Sequence, residues 1–116
     1  MTNPAPAPSP RPTLDAWLSA GQTGAGTPWL SALQAESLAR YALMRGYGVR
    51  LMEASALTLH EPPRDTDWEI LGADAPGSNW EDHHNPACAF RLLVDKLTLA
   101  RRAGARLQYK LWLGRA

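Results

Sequence analysis

The run Asn79-Trp80-Glu81-Asp82-His83-His84-Asn85-Pro86 crowds two carboxylates and two imidazoles into the approach to an amphipathic segment, Ala87 to Arg102. At a helix start the first backbone N–H groups lack intrahelical partners and point outward, so a ligand meets ready donors there. Metal binding is the first chemistry to weigh, because Glu81, Asp82, His83, His84, Cys88 and the distant His60 are all competent ligands. Their spacing argues against it. Adjacent loop histidines rarely reach one ion together, and neither a His-x-x-x-His pair nor a paired-cysteine element occurs. Nucleophilic catalysis by Cys88 with His84 as base is geometrically conceivable, since a thiolate is favoured in the first turn of a helix. Cys88 shares an apolar stripe with Leu92 and Leu99, however, which is the setting of a small buried hydrophobe. No Gly-x-x-x-x-Gly-Lys phosphate loop is present, and Gly21 to Gly26 lacks the preceding strand of a dinucleotide fingerprint. The residues therefore predict no catalytic group, no metal site and no cofactor, and a polar capping loop is the simpler account of residues 79–86.

Composition narrows the partners. With 116 residues the chain is long enough for one core without disulfides or a structural metal, and Lys plus Arg number 12 against 11 acidic residues. A net charge of +1 supplies no field that would steer the chain to duplex nucleic acid or an anionic membrane. The single cysteine cannot form an intramolecular disulfide, and no signal-like stretch or run of 18 apolar residues occurs, so a cytoplasmic protein is expected.

Several elements must position the loop. Residues 1–12 alternate proline with small residues and are expected to form a disordered Pro/Ala-rich tail, leaving 13–116 as a single α+β domain. Thr13 can cap a short helix carrying Leu14, Trp17 and Leu18, and Thr27-Pro28 reads as a second helix start. From Trp29 to Arg45, Ala35, Leu38, Ala39, Ala42 and Leu43 recur at helical spacing until Gly46-Tyr47-Gly48 stops the run. The period then changes to two. Val49, Leu51 and Glu53 alternate with Arg50 and Met52, and Leu57 and Leu59 alternate with their neighbours, predicting two short strands joined near Ala54-Ser55-Ala56. Residues 68–71 suggest one more short strand. Asn85 and Pro86 start the last helix and Gly104 closes it; Leu107, Tyr109, Leu111 and Leu113 alternate as a terminal strand. The predicted order is α-α-β-β-(β)-α-β, with helices packed on a short antiparallel sheet.

Gly46 to Leu51, Trp80, and Ala89-Phe90-Arg91-Leu92-Leu93-Val94-Asp95-Lys96-Leu97 together resemble the pattern of the phage ABA-sandwich family of small phage proteins. In that pattern a helix ending in glycine precedes a strand with valine, and a later tryptophan leads through a polar loop into Ala-Leu-Arg-Leu and Lys-Leu. The resemblance spans roughly residues 28 to 113 and implies phage or prophage origin without an assigned chemistry. This chain departs from the pattern after the tryptophan, where Glu81-Asp82 replaces Asn-Pro, and at the second helix start, where Ala87 and Cys88 replace acidic residues.

The last helix carries one apolar stripe through Phe90, Leu93, Val94, Leu97 and Ala100 and a second through Cys88, Leu92 and Leu99. A helix lying on a sheet needs only the first, so the second predicts an interface or a cover. Five tryptophans exceed ordinary usage, and Trp80 and Trp112, with Arg91 and Arg102, have the composition of an interface hot spot. The sequence thus predicts a non-enzymatic protein-binding module, an inhibitor or adaptor, whose surface is Trp80, Glu81, Asp82, His83, His84, Arg91, Leu92, Leu99, Arg102 and Trp112. One alternative is an enzyme or a binder of a nucleotide or other anion at residues 79–88, which Glu81 and Asp82 would repel. Another is a structural homo-oligomer, at its smallest a homodimer, built on Cys88, Leu92 and Leu99.

Overall fold

A computed structural model describes residues 11–56 and 85–115. Its elements are α1 (Arg11–Gly21), α2 (Ala32–Leu43), β1 (Tyr47–Ala56), α3 (Pro86–Arg102) and β2 (Leu107–Arg115). The two strands pair antiparallel and the helices pack on them, so the chain is α+β as expected. The core joins all five elements: Leu18 of α1; Leu38 and Ala42 of α2; Met52 and Ala54 of β1; Leu93 and Leu97 of α3; Leu111 and Leu113 of β2. Ala35, Ala39 and Ala42 are all buried along one face of α2, and their short side chains let its backbone approach the neighbouring elements closely.

Both helix starts differ from the sequence reading. Arg11 and Pro12, assigned to the tail, lie in the first turn of α1, where proline's missing N–H removes no helical bond. Helix α2 begins four residues later than Thr27-Pro28 suggests. Its cap is Ser31, whose hydroxyl accepts from the Gln34 N–H at 3.1 Å while the Gln34 side chain accepts from the Ser31 N–H at 2.9 Å. Thr27 is committed elsewhere. Its N–H donates to the Leu111 carbonyl and its Oγ1 accepts from the Leu111 N–H, both at 3.0 Å. Leu30 then exchanges two 2.7 Å bonds with Tyr109. Residues 24–30 therefore run as a strap along the edge of β2 that faces away from β1.

The first strand does not end at the expected turn. Ala54, Ser55 and Ala56, read as a turn, pair with Tyr109, Gln108 and Leu107 inside one ten-residue strand. They lack the glycine or asparagine that a tight hairpin requires. A register shift between Val49 and Leu51 leaves Arg50 without a ladder partner and reverses the side-chain phase. Val49, Met52 and Ala54 consequently face the core, and Leu51 and Glu53, predicted to share the face of Val49, are only half-buried. The strands expected near residues 57–59 and 68–71 lie outside the described residues, as does the proposed tail from 1 to 10.

Helix α3 follows the sequence signals closely. Asn85 caps it, its Oδ1 accepting from the Cys88 N–H at 3.2 Å, and Pro86 occupies the first turn. Beyond Arg102 the Ala105 N–H reaches back to the Ala100 carbonyl at 2.9 Å, a closure made by Gly104 at φ +72°.

Candidate docking surface

The predicted interaction surface divides in three. Trp80, Glu81, Asp82, His83 and His84 lie outside the described residues. Arg91, Leu99 and Arg102 are exposed along the outer side of α3, together with Cys88 and Asp95. Leu99 retains half of its surface in contact with solvent. Leu92 does not share this setting: it is half-buried and packs against the core, so the second apolar stripe is not exposed as one surface. Cys88, read as a small buried hydrophobe, is exposed.

Trp112 stands apart from these residues. It pairs with Leu51 in the ladder, and the alternation of β2 turns it away from the core-facing Leu111 and Leu113, onto the sheet face opposite the one that α3 covers. Its Nε1 donates to the Gly24 carbonyl at 2.9 Å, and its ring lies against Gly26, where an added Cβ would approach within 2.6 Å of the indole. Gly26 has φ +72°, so both its backbone conformation and the contact exclude a side chain. On the same face the Lys110 ammonium sits 5.4 Å from the centre of the exposed Trp29 ring. Trp112 thus holds the strap to the sheet and is not joined to the arginines of α3.

The surface that the sequence reading missed is on α2. Leu33, in the first turn beyond Ser31, is 76% exposed and stands between two open grooves. One groove, of about 540 Å³, runs between α1 and α2 over Leu14 and Trp17. The other, of about 520 Å³, runs between the start of α2 and the end of α3, with Val94, Leu97 and Leu107 in its lining. Arg101 and Arg106 border this second groove on the α3 side and Glu36 on the α2 side. Further along α2, Met44 is 77% exposed beside a shallower depression lined by Leu14, Arg40 and Tyr41. The Tyr41 hydroxyl donates to the Asp15 carboxylate, which ties α2 to α1, and the Arg45 guanidinium lies 3.5 Å from the Tyr41 ring centre. A signal for Leu33 was present: it falls opposite the Ala35, Leu38, Ala39 and Ala42 stripe once the helix is started at Ser31.

No protein-family model matches the chain, and no curated protein does. Any functional reading rests on the surface itself. Among the described residues no three His, Cys, Asp or Glu side chains converge on one point, and no helix is long and apolar enough to cross a membrane. Tyr109, which lines the groove between α2 and α3, is nearly inaccessible, and burial raises the pKa of its phenol above the ordinary value. It is a wall of the groove, not a proton donor at its mouth.

Proposed function

We propose that this chain is a non-enzymatic protein-binding module of phage or prophage descent, a small inhibitor or adaptor that works by docking on a host protein in the cytoplasm. The observation that carries the reading is the position of Leu33, an aliphatic side chain left three-quarters exposed between two grooves, one mainly apolar over Leu14 and Trp17 and one in which aliphatic and charged side chains mix. Single exposed leucines are ordinary on protein surfaces; one that forms a shared wall of two grooves, each with aliphatic side chains in its lining, offers seats for the side chains of a partner. Leu99 and the arginines of α3 extend the accessible surface on a neighbouring side. The phage descent rests on the resemblance in residues 46–51, 80 and 89–97 alone.

The test is capture from extracts of the native host on immobilised full-length chain, run beside Leu33→Glu. The expected result is one protein retained in stoichiometric yield by the native chain and lost with Leu33→Glu, with circular dichroism unchanged. A nucleotide or other small anion that co-purifies with the chain, in place of a protein, would favour the ligand-binding alternative.

A further inference from the structure

We propose that the groove between the start of α2 and the end of α3 receives an acidic apolar peptide segment, one that seats large aliphatic side chains on Leu33, Val94, Leu97 and Leu107 and places a carboxylate between Arg101 and Arg106. This inference rests on the protein-binding reading and names the chemistry of the partner. The charge distribution around the groove supports it. Arg101 lies in the last turn of α3, and the left-handed turn at Gly104 brings the chain back so that Arg106, two residues later, borders the same groove. Both arginines are exposed, and Arg102 is exposed beside them. Glu36 is the one carboxylate in the lining, and it stands on the opposite, α2 wall. A guanidinium matches a carboxylate geometrically, through paired N–H donors, as well as by charge, and two of them border this groove beside its aliphatic side chains. The groove volume of about 520 Å³ is sufficient to hold side chains from a bound segment.

A second copy of the chain is an outcome of the test, since seven of the eleven acidic residues fall in residues 57–84, outside the described residues. Among the described residues Asp15 is engaged by Tyr41, Glu36 lines the groove itself, Glu53 faces Lys110 across the ladder, and Asp95 is the sole carboxylate of α3. None of these four described carboxylates stands in a cluster beside exposed aliphatic side chains. Nucleic acid is disfavoured by the net charge of +1 and by a lining whose one aromatic residue, Tyr109, is buried and offers no stacking face.

The experiment is selection from a random-peptide display library on the full-length chain, followed by titration of the recovered peptides by fluorescence polarisation. Peptides combining Asp or Glu with large aliphatic residues are expected. Their affinity should fall at least about tenfold with Arg101→Glu plus Arg106→Glu, the usual scale for losing a close charge pair at an interface. Replacing the peptide carboxylates with lysine should recover part of that loss. Leu33→Glu should weaken binding independently, and because all three positions are exposed, circular dichroism should show the native fold in each variant. Peptides without carboxylates, or affinities indifferent to the arginine reversal, overturn the acidic-partner inference and leave protein binding standing. Self-association abolished by Leu33→Glu assigns the groove to a second copy and overturns it too. Recovery of no peptide, with retention of the chain on a duplex oligonucleotide column, overturns both readings.

Discussion

At the scale of single residues, the contacts that hold this fold together are made by groups whose partners lie far away in the chain. Thr27 is the clearest case, since its hydroxyl takes the place of a strand carbonyl for the Leu111 N–H. Gly26 is the second. Gly26→Ala must place a methyl against the Trp112 indole while remaining at φ +72°, whereas Gly104→Ala meets only the backbone penalty, because nothing lies within 4 Å of its Cβ position. Thermal denaturation of the two variants should therefore separate them. Gly104→Ala is expected to cost about 1 kcal/mol and Gly26→Ala at least about 1 kcal/mol more. Equal losses would show that Trp112 yields without cost. Tyr109 supplies a pH-dependent prediction. Its buried phenol has a folded-state pKa raised above the ordinary 10.0, so the folded chain holds the proton more tightly than the unfolded chain. The stabilisation is fully present below the unfolded pKa and is lost as pH rises from about 10 toward the folded pKa. Melting curves between neutral and strongly alkaline pH should show a steeper loss above about pH 10 in the native chain than in Tyr109→Phe. Parallel losses in the two proteins would exclude the phenol as the cause.

At the scale of elements, α3 shows how one helix can carry apolar residues with different assignments. Leu93 and Leu97 are core, Leu92 packs along the edge of the core, and Leu99 is half exposed. The pair Leu92 and Leu99 should accordingly respond differently to the same charge. Leu99→Glu is expected to change stability by no more than about 0.5 kcal/mol, as for other surface substitutions. Leu92→Glu has to leave its contacts or bring a carboxylate against apolar neighbours and should cost about 2 kcal/mol or more. Chemical denaturation midpoints at constant m-value provide the measurement. If Leu99→Glu proves as damaging as Leu92→Glu, the outer side of α3 is covered and cannot serve as an accessible surface.

At the scale of the whole molecule, the two-stranded ladder owes its support to elements on three sides: the helices on one face, the strap on the far edge of β2, and Trp112 fastening that strap from the other face. The sheet has two strands among the described residues, and a sheet of that size is marginal by itself, so helices and sheet are expected to unfold together. Leu38 is fully buried in the core that joins all five elements. Leu38→Ala should remove about 2–5 kcal/mol, a large part of the ~5–15 kcal/mol that holds a typical domain together. Far-UV and near-UV circular dichroism should report this as one transition shifted in common. Transitions that separate would show that the helices and the sheet are independent units.

Local chemistry made α3 legible in the sequence, because Asn85, Pro86, the apolar period and Gly104 are all read within a few residues of where they act. The α+β class, the alternation of β2 and the packed face of α2 were legible for the same reason. Tertiary structure alone decided the role of Thr27, whose partner Leu111 lies 84 residues away, and thereby moved the start of α2 to Ser31. It also decided the phase of β1. A bulge leaves no mark in the alternation of residue types, yet it reverses every side chain beyond it, which is why Met52 and not Leu51 entered the core. The surface was legible only in part: the exposed arginines of α3 follow from helical spacing, but the grooves beside Leu33 exist because α1 and α3 pack on either side of α2. Helical spacing shows which way a side chain points; the neighbouring elements determine whether it meets solvent, a groove or the core.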